Sequence, residues 1–187
     1  MVFKLRLTKR LIYLVILFHL ISCVNTYKLS DGISRVPSNS KVYKNKSKFN
    51  ISLLNTIDTS VVYEKYSIRY NILARMDNHP ETSIYGVYRF YPGGYFNYFV
   101  LDRDIALDIK DFDPVYTGYR GVYYHEKNEI RYDNFGISNG LGWIGKLTGA
   151  FTFIGDTLYK KSDYSSYVQI YIKRELPKEY LKYRVDW

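Results

Sequence analysis

From Ile84 onward the chain is a succession of short apolar and aromatic segments set apart by turns. IYGVYRFY (84–91), Pro92-Gly93-Gly94 and YFNYFVLD (95–102) form a hairpin by spacing and composition. GYRGVYYHE (118–126) and EIRYDNF (129–135) flank Lys127-Asn128 as a second hairpin. LTGAFTFIG (147–155) and TLYKKS (157–162) meet around Asp156 as a third, and SYVQIYIKREL (166–176) supplies a further strand. Upstream, Tyr66, Ile68, Tyr70 and Ile72 alternate with Ser67, Arg69 and Asn71, a period of two. Parallel pairing needs a long crossover, usually a helix, and no helical pattern of that length separates these segments. The sequence therefore predicts an all-β fold, an antiparallel up-and-down meander of at least seven strands. Such a sheet must hide its edges, which favours a closed barrel or a strongly curved sheet. PKEYLKYRVDW (177–187) adds a short C-terminal helical turn.

The strands carry apolar residues on both faces. The chain holds 22 tyrosines and 10 phenylalanines, residue types that favour strands. On the first hairpin Ile84, Tyr88 and Phe90 oppose Tyr85, Val87 and Tyr91; on the third, Leu147, Phe151 and Phe153 oppose Ala150 and Ile154. In the last strand Val168, Ile170 and Ile172 alternate with Gln169, Tyr171 and Lys173. A one-sided sheet would alternate apolar with polar. Two apolar faces require a covering layer, or an inner cavity together with a partner surface. A barrel of about eight strands can hold one small ligand. The expected lining is Phe90, Tyr98, Tyr124, Phe151 and Ile170, with Trp143 as a lid in the glycine-rich loop ISNGLGWIGK (137–146). A core filled by side chains is the competing arrangement.

The N-terminus sets the address. Lys4, Arg6, Lys9 and Arg10 precede an apolar run from Leu11 to Ile21, the build of a secretory signal and too short for a membrane span of roughly 18 residues. The run ends in Leu20-Ile21-Ser22-Cys23, which resembles the bacterial lipobox. That resemblance implies that residues 1–22 are removed as a signal peptide and that Cys23 carries acyl chains. Two or more chains give stable anchoring. Removal takes away four basic and no acidic residues, so the net charge falls from +9 to +5. Cys23 is the single cysteine, so no intramolecular disulfide can form. Residues 23–52 are polar, with Gly32, Pro37, Lys41, Lys44, Lys46 and Lys48, and read as a flexible tether that leads to one β domain at 53–187. No acidic pair follows Cys23, which favours an outer-membrane anchor that faces the periplasm.

The strand succession also resembles the lipocalin-like lipoproteins of Bacteroidota. The residues that carry the likeness are the strand-PGG-strand hairpin, Asp113-Pro114 followed by Gly121-Val122-Tyr123-Tyr124, the Gly155-Asp156-Thr157-Leu158 step and the terminal Asp186-Trp187. It covers about residues 53–187 and implies a calycin-like barrel.

Chemistry-bearing patterns are sparse. Gly140-Leu141-Gly142-Trp143-Ile144-Gly145 has the dinucleotide spacing, but a strand pattern follows where a helix is needed. Asp102, Asp104, Asp108, Asp111 and Asp113 lack the calcium-loop order and suit turns and caps. His79 and His125 alone make no zinc site, and no G-x-S-x-G element or cysteine nucleophile is present. No cofactor, no metal and no catalytic residue is expected, and the extracytoplasmic address argues against nucleic acid. The expected function is non-enzymatic: a lipid-anchored envelope protein that binds a small apolar or amphipathic molecule in its barrel. The alternative is an envelope protein that docks a protein partner, or serves structurally, without a ligand cavity. For the anchor, Cys23→Ser should abolish palmitate labelling of the chain and shift it from the membrane to the soluble fraction; an unlabelled parent chain would reject it.

Overall fold

A computed structural model of the chain describes residues 25–70, 76–77, 83–137, 144–185 and 187. Its strands are β1 (Thr26–Lys28), β2 (Arg35–Pro37), β3 (Val62–Tyr70), β4 (Met76–Asp77), β5 (Ile84–Tyr91), β6 (Tyr95–Asp102), β7 (Tyr119–Glu126), β8 (Glu129–Ile137), β9 (Ile144–Ile154), β10 (Thr157–Ser162) and β11 (Tyr167–Arg174). Each strand from β5 to β11 pairs antiparallel with the next, and β3 pairs with both β5 and β11. Eight strands thus close on themselves as an up-and-down barrel, the closed form of the two expected, and β4 adds a short extension to β3. Helix among the described residues is confined to 3-10 turns, one of them the C-terminal turn Lys178–Leu181. No helix among the described residues is long and apolar enough to cross a membrane.

The turns follow from sequence. Gly93 and Gly94 hold φ of 92° and 88° between β5 and β6. Lys127 and Asn128 hold φ of 50° and 62° between β7 and β8, the left-handed pair that a two-residue hairpin needs.

The lumen is packed with aromatic rings. Tyr63, Tyr88, Phe90, Phe96, Tyr123, Tyr132, Phe151 and Tyr171 form one buried cluster with Leu158. Phe90 alone meets Tyr63, Tyr123, Phe151 and Phe153 edge to face at 5.3–5.7 Å. Rings this large fit because a glycine faces some of them. Gly121 of β7 pairs with Phe96 of β6, and a Cβ there would fall among the Phe96 ring atoms.

The tether expected over 23–52 is instead folded from Thr26 onward. β1 and β2 pair with each other, and Val36 and Tyr43 are buried. The 3-10 turns at Lys44–Lys48 and Ile51–Asn55 carry Phe49, Leu53 and Ile57 onto the aromatic cluster and plug one end of the barrel. Polar composition misled because the segment buries a few anchors between solvated residues, with no period to betray them. Lys46 lies 4.2 Å from the centre of the Tyr95 ring, and Lys48 pairs with Glu126, so two of the tether lysines hold the plug down.

The second covering layer lies outside the barrel. Val122, Tyr124, Tyr91, Tyr95 and Phe135 pack under Tyr43, Val185 and Trp187. Val62, Tyr85, Val87, Phe99 and Leu101 pack under Phe112 of the β6–β7 connector and Leu176, Tyr180 and Leu181 of the C-terminal segment. Buried Arg89 ties both wraps, donating to the carbonyls of Phe112 (3.5 Å), Leu181 and Tyr183 (2.9 Å). Gly121→Ala should destabilise the chain by about 3 kcal/mol through overpacking against Phe96. Gly136→Ala, whose Cβ would meet nothing nearer than 3.8 Å, should stay within about 0.5 kcal/mol of the parent. Urea unfolding midpoints of the two variants check this.

Candidate functional site

The barrel has two unlike ends. The plugged end carries the β5–β6, β7–β8 and β9–β10 turns, with Leu53, Ile57 and Val61 against Tyr63, Phe90 and Phe153. At the other end the interior turns polar. Lys160 of β10 pairs in register with Phe151 of β9 and Gln169 of β11, on the same lumenal face as Leu158. Its ammonium donates to Gln169 Oε1 at 3.0 Å and lies 5.7 Å and 5.6 Å from the centres of the Tyr88 and Tyr132 rings. The Tyr171 hydroxyl donates to the same Gln169 oxygen at 3.3 Å. Tyr98 lies against Tyr88, centroids 4.8 Å apart, and Tyr171 meets Tyr88 edge-on at 4.9 Å.

Two glycines make room for this floor. The Tyr98 ring lies where a Cβ on Gly86 of β5 would stand. The Tyr132 hydroxyl would be 2.6 Å from a Cβ on Gly149, its register partner on β9. Tyr132 thereby stacks on Phe151 with centroids 4.6 Å apart.

Electrostatics follow from this burial. Desolvation, helped by the repulsion of Lys65, pulls the Lys160 ammonium down to about 8. Desolvation pushes the phenols of Tyr88 and Tyr171 well above their ordinary value and raises those of Tyr98 and Tyr132, so all four are neutral donors at physiological pH. The buried hydroxyls of Tyr88 and Tyr132 have no hydrogen-bond partner among the described residues. Tyr171 and Ser162 approach them without reaching hydrogen-bond geometry. A buried phenol prefers a partner, so these two donors are open.

Above this floor the described wall of β5 and β6 is apolar and partly exposed. Gly86 pairs with Val100 and Ile84 with Asp102, which places Ile84 and Val100 on the same face of the hairpin as Tyr88 and Tyr98. They are 51% and 48% exposed, whereas Tyr88 further down that face is 0% exposed. The β6–β7 connector does not fold over them, because Leu107 and Phe112 pack on the outer wall. Among the described residues this end presents an aromatic and cationic floor with an apolar rim, hereafter the cup.

Of the residues expected to line a cavity, Phe90, Tyr98 and Phe151 meet inside the barrel. Phe90 and Phe151 sit in the packed middle, and Tyr98 on the floor of the cup. Tyr124 lies on the outer wall, where its hydroxyl donates to Asp133. Ile170 is buried but pairs with Tyr159, on the face opposite Lys160 and Tyr171. Trp143 and Cys23 lie outside the described residues. Lys160 and Gln169 were missed; the signal available was the period of two in Leu158-Tyr159-Lys160, which puts the lysine on the same face as a core leucine.

The other patterns have structural roles where they are described. Ile144 and Gly145 open β9, so the glycine-rich run leads into a strand. Asp108 caps the 3-10 turn Ile109–Phe112 in a capping box with Asp111, and Asp102 and Asp113 accept from the backbone two residues on. His125 is exposed beside Glu126, which Lys48 engages, and His79 lies outside the described residues. No three His, Cys, Asp or Glu side chains among the described residues converge as a metal site. No family model, curated protein or solved structure matches this chain.

The depressed Lys160 value fixes a pH signature. Between about 8 and its ordinary 10.5 the unfolded chain holds a proton on this lysine that the folded chain has released. Stability contributed through Lys160 therefore rises with pH across that window and is flat below it. The difference in urea midpoint between the parent and Lys160→Met should narrow as pH climbs from about 7 to 10; a constant difference would contradict the burial of the ammonium.

Proposed function

We propose that this protein is a lipid-anchored envelope lipoprotein whose barrel binds a small amphipathic molecule at the end floored by Tyr98, Lys160 and Gln169. The observation that carries the ligand site is the exposure of Ile84 and Val100 on the lumenal face of β5 and β6. Apolar residues on the inner face of a barrel are normally covered by its own core, and among the described residues the core cluster stops below these two. Half-open apolar walls above a few convergent polar groups suit binding of one small molecule. The packed middle limits depth, so the occupant is held in the upper part of the lumen. Lys160 is held by Gln169 and covered by two tyrosine rings, and the reading offered is binding rather than catalysis. The anchor rests on Leu20-Ile21-Ser22-Cys23 at the end of the signal-like run.

Titration with the neutral apolar fluorophore N-phenyl-1-naphthylamine tests the cup. One molecule should bind per barrel, and Ile84→Glu with Val100→Glu should weaken binding by about tenfold or more, the cost of charging an apolar wall. Ile154→Glu, a change of an exposed apolar residue at the plugged end, should leave it unaltered. Absent binding, or equal losses in both variants, would reject the site.

A further inference from the structure

Several cations on the outer wall and plug of this barrel find carboxylates, and buried Arg89 and Arg120 donate to backbone carbonyls. Lys48 pairs with Glu126, Arg103 and Arg174 with Glu64, Arg131 with Asp163, Lys146 with Asp133 and Lys173 with Asp58. Lys160 does not: among the described residues its partners are one amide oxygen and two tyrosine faces. The other charge that acts on it is a second cation, Lys65. An ammonium drawn out of water without an anion is costly, and a methionine would fill the same space among rings without that cost. Two buried phenols, Tyr88 and Tyr132, stand beside it with unused donors. The floor therefore gathers one positive charge and hydroxyl donors, with no carboxylate among the described residues in contact with it.

On the reading of this end as a ligand site, we infer that its occupant is a single-chain amphiphile with a small monoanionic head, such as a carboxylate. The head sits on the Lys160 ammonium above the Tyr88 and Tyr132 rings, and the chain runs out past Val100 and Ile84. A charge-assisted hydrogen bond in such a place is about twice as strong as a neutral one. The phenols are neutral and add no competing charge, and the aromatic floor excludes water from the ion pair.

Displacement of N-phenyl-1-naphthylamine by three ten-carbon probes, decanoate, decanol and decyltrimethylammonium, tests the head. At about pH 7 decanoate should displace at a concentration at least about tenfold lower than the other two. Lys160→Met should erase that preference while keeping decanol binding, and Lys160→Arg should keep it. Among the described residues the groups facing Lys160 are Tyr132 from β8, Phe151 from β9, Gln169 and Tyr171 from β11, Tyr88 from β5 and Lys65 from β3. The phenols stay neutral to higher pH, so the preference of the parent should fall as pH passes well above 8, and that of Lys160→Arg should persist. Dioleoylphosphatidylglycerol vesicles, whose lipid carries two chains, should not displace the probe. Equal displacement by all three heads, an undiminished preference in Lys160→Met, or displacement by vesicles alone overturns the inference and leaves the cup standing. Failure of every probe, fluorophore included, removes both.

Discussion

The fold depends on flat rings laid over missing side chains. An eight-stranded barrel has an interior just wide enough to be filled by side chains. Here the filling is aromatic, and Gly86, Gly121 and Gly149 on β5, β7 and β9 let Tyr98, Phe96 and Tyr132 cross the wall instead of colliding with it. Each buried ring removes a large apolar area from water, and edge-to-face contacts add about 0.5–1.5 kcal/mol apiece. The mesh of ring contacts around Phe90 and Phe151 makes the middle of the barrel rigid and leaves the polar groups to its upper end.

The outer wall solves a different problem. A shell with apolar residues on both faces would aggregate if left bare. The chain covers one flank with its own ends: the segment around Val36 and Tyr43 from the front, and Leu176 to Trp187 from the back. Arg89 is the tie, a buried guanidinium whose donors reach carbonyls of the β6–β7 connector and of the C-terminal segment. Arg120 does related work beside it, donating to the Pro114 carbonyl at 3.1 Å and stacking on Trp187 at 4.5 Å. Wrapping of this kind covers outer-wall tyrosines in a chain whose single cysteine leaves no intramolecular disulfide.

Much of the barrel was legible because its turns are chemically explicit. Pro92-Gly93-Gly94 and Lys127-Asn128 mark hairpins whose bounds match β5–β6 and β7–β8 closely. Which face of each strand points inward was harder to read, since aromatics stand on both. In β11 the alternation of Val168, Ile170 and Ile172 suggested an apolar inner face, yet Gln169 and Tyr171 point into the lumen, and β3 and β11 shift register between Ile170 and Tyr171. The N-terminal plug was illegible for a plainer reason: its 3-10 turns bury isolated residues such as Leu53 and Ile57, a pattern with no period. The site followed the same logic, its key lysine hidden in a strand whose composition reads as surface.

One detail of the N-terminal strand carries a geometric consequence for the proposed anchor. β1 begins at Thr26, and the Asn25 carbonyl already accepts from the Ser38 amide, so only Val24 separates Cys23 from folded chain. Even fully extended, a lead of three residues spans roughly 10 Å. An acylated Cys23 would therefore moor the barrel almost directly on the lipid surface. Tyr27, just beyond it, lies over Arg120 of β7, so the mooring point is on the side of the cylinder. A body held there would have little room to swing away from the headgroups, where molecules that leave a leaflet first meet water.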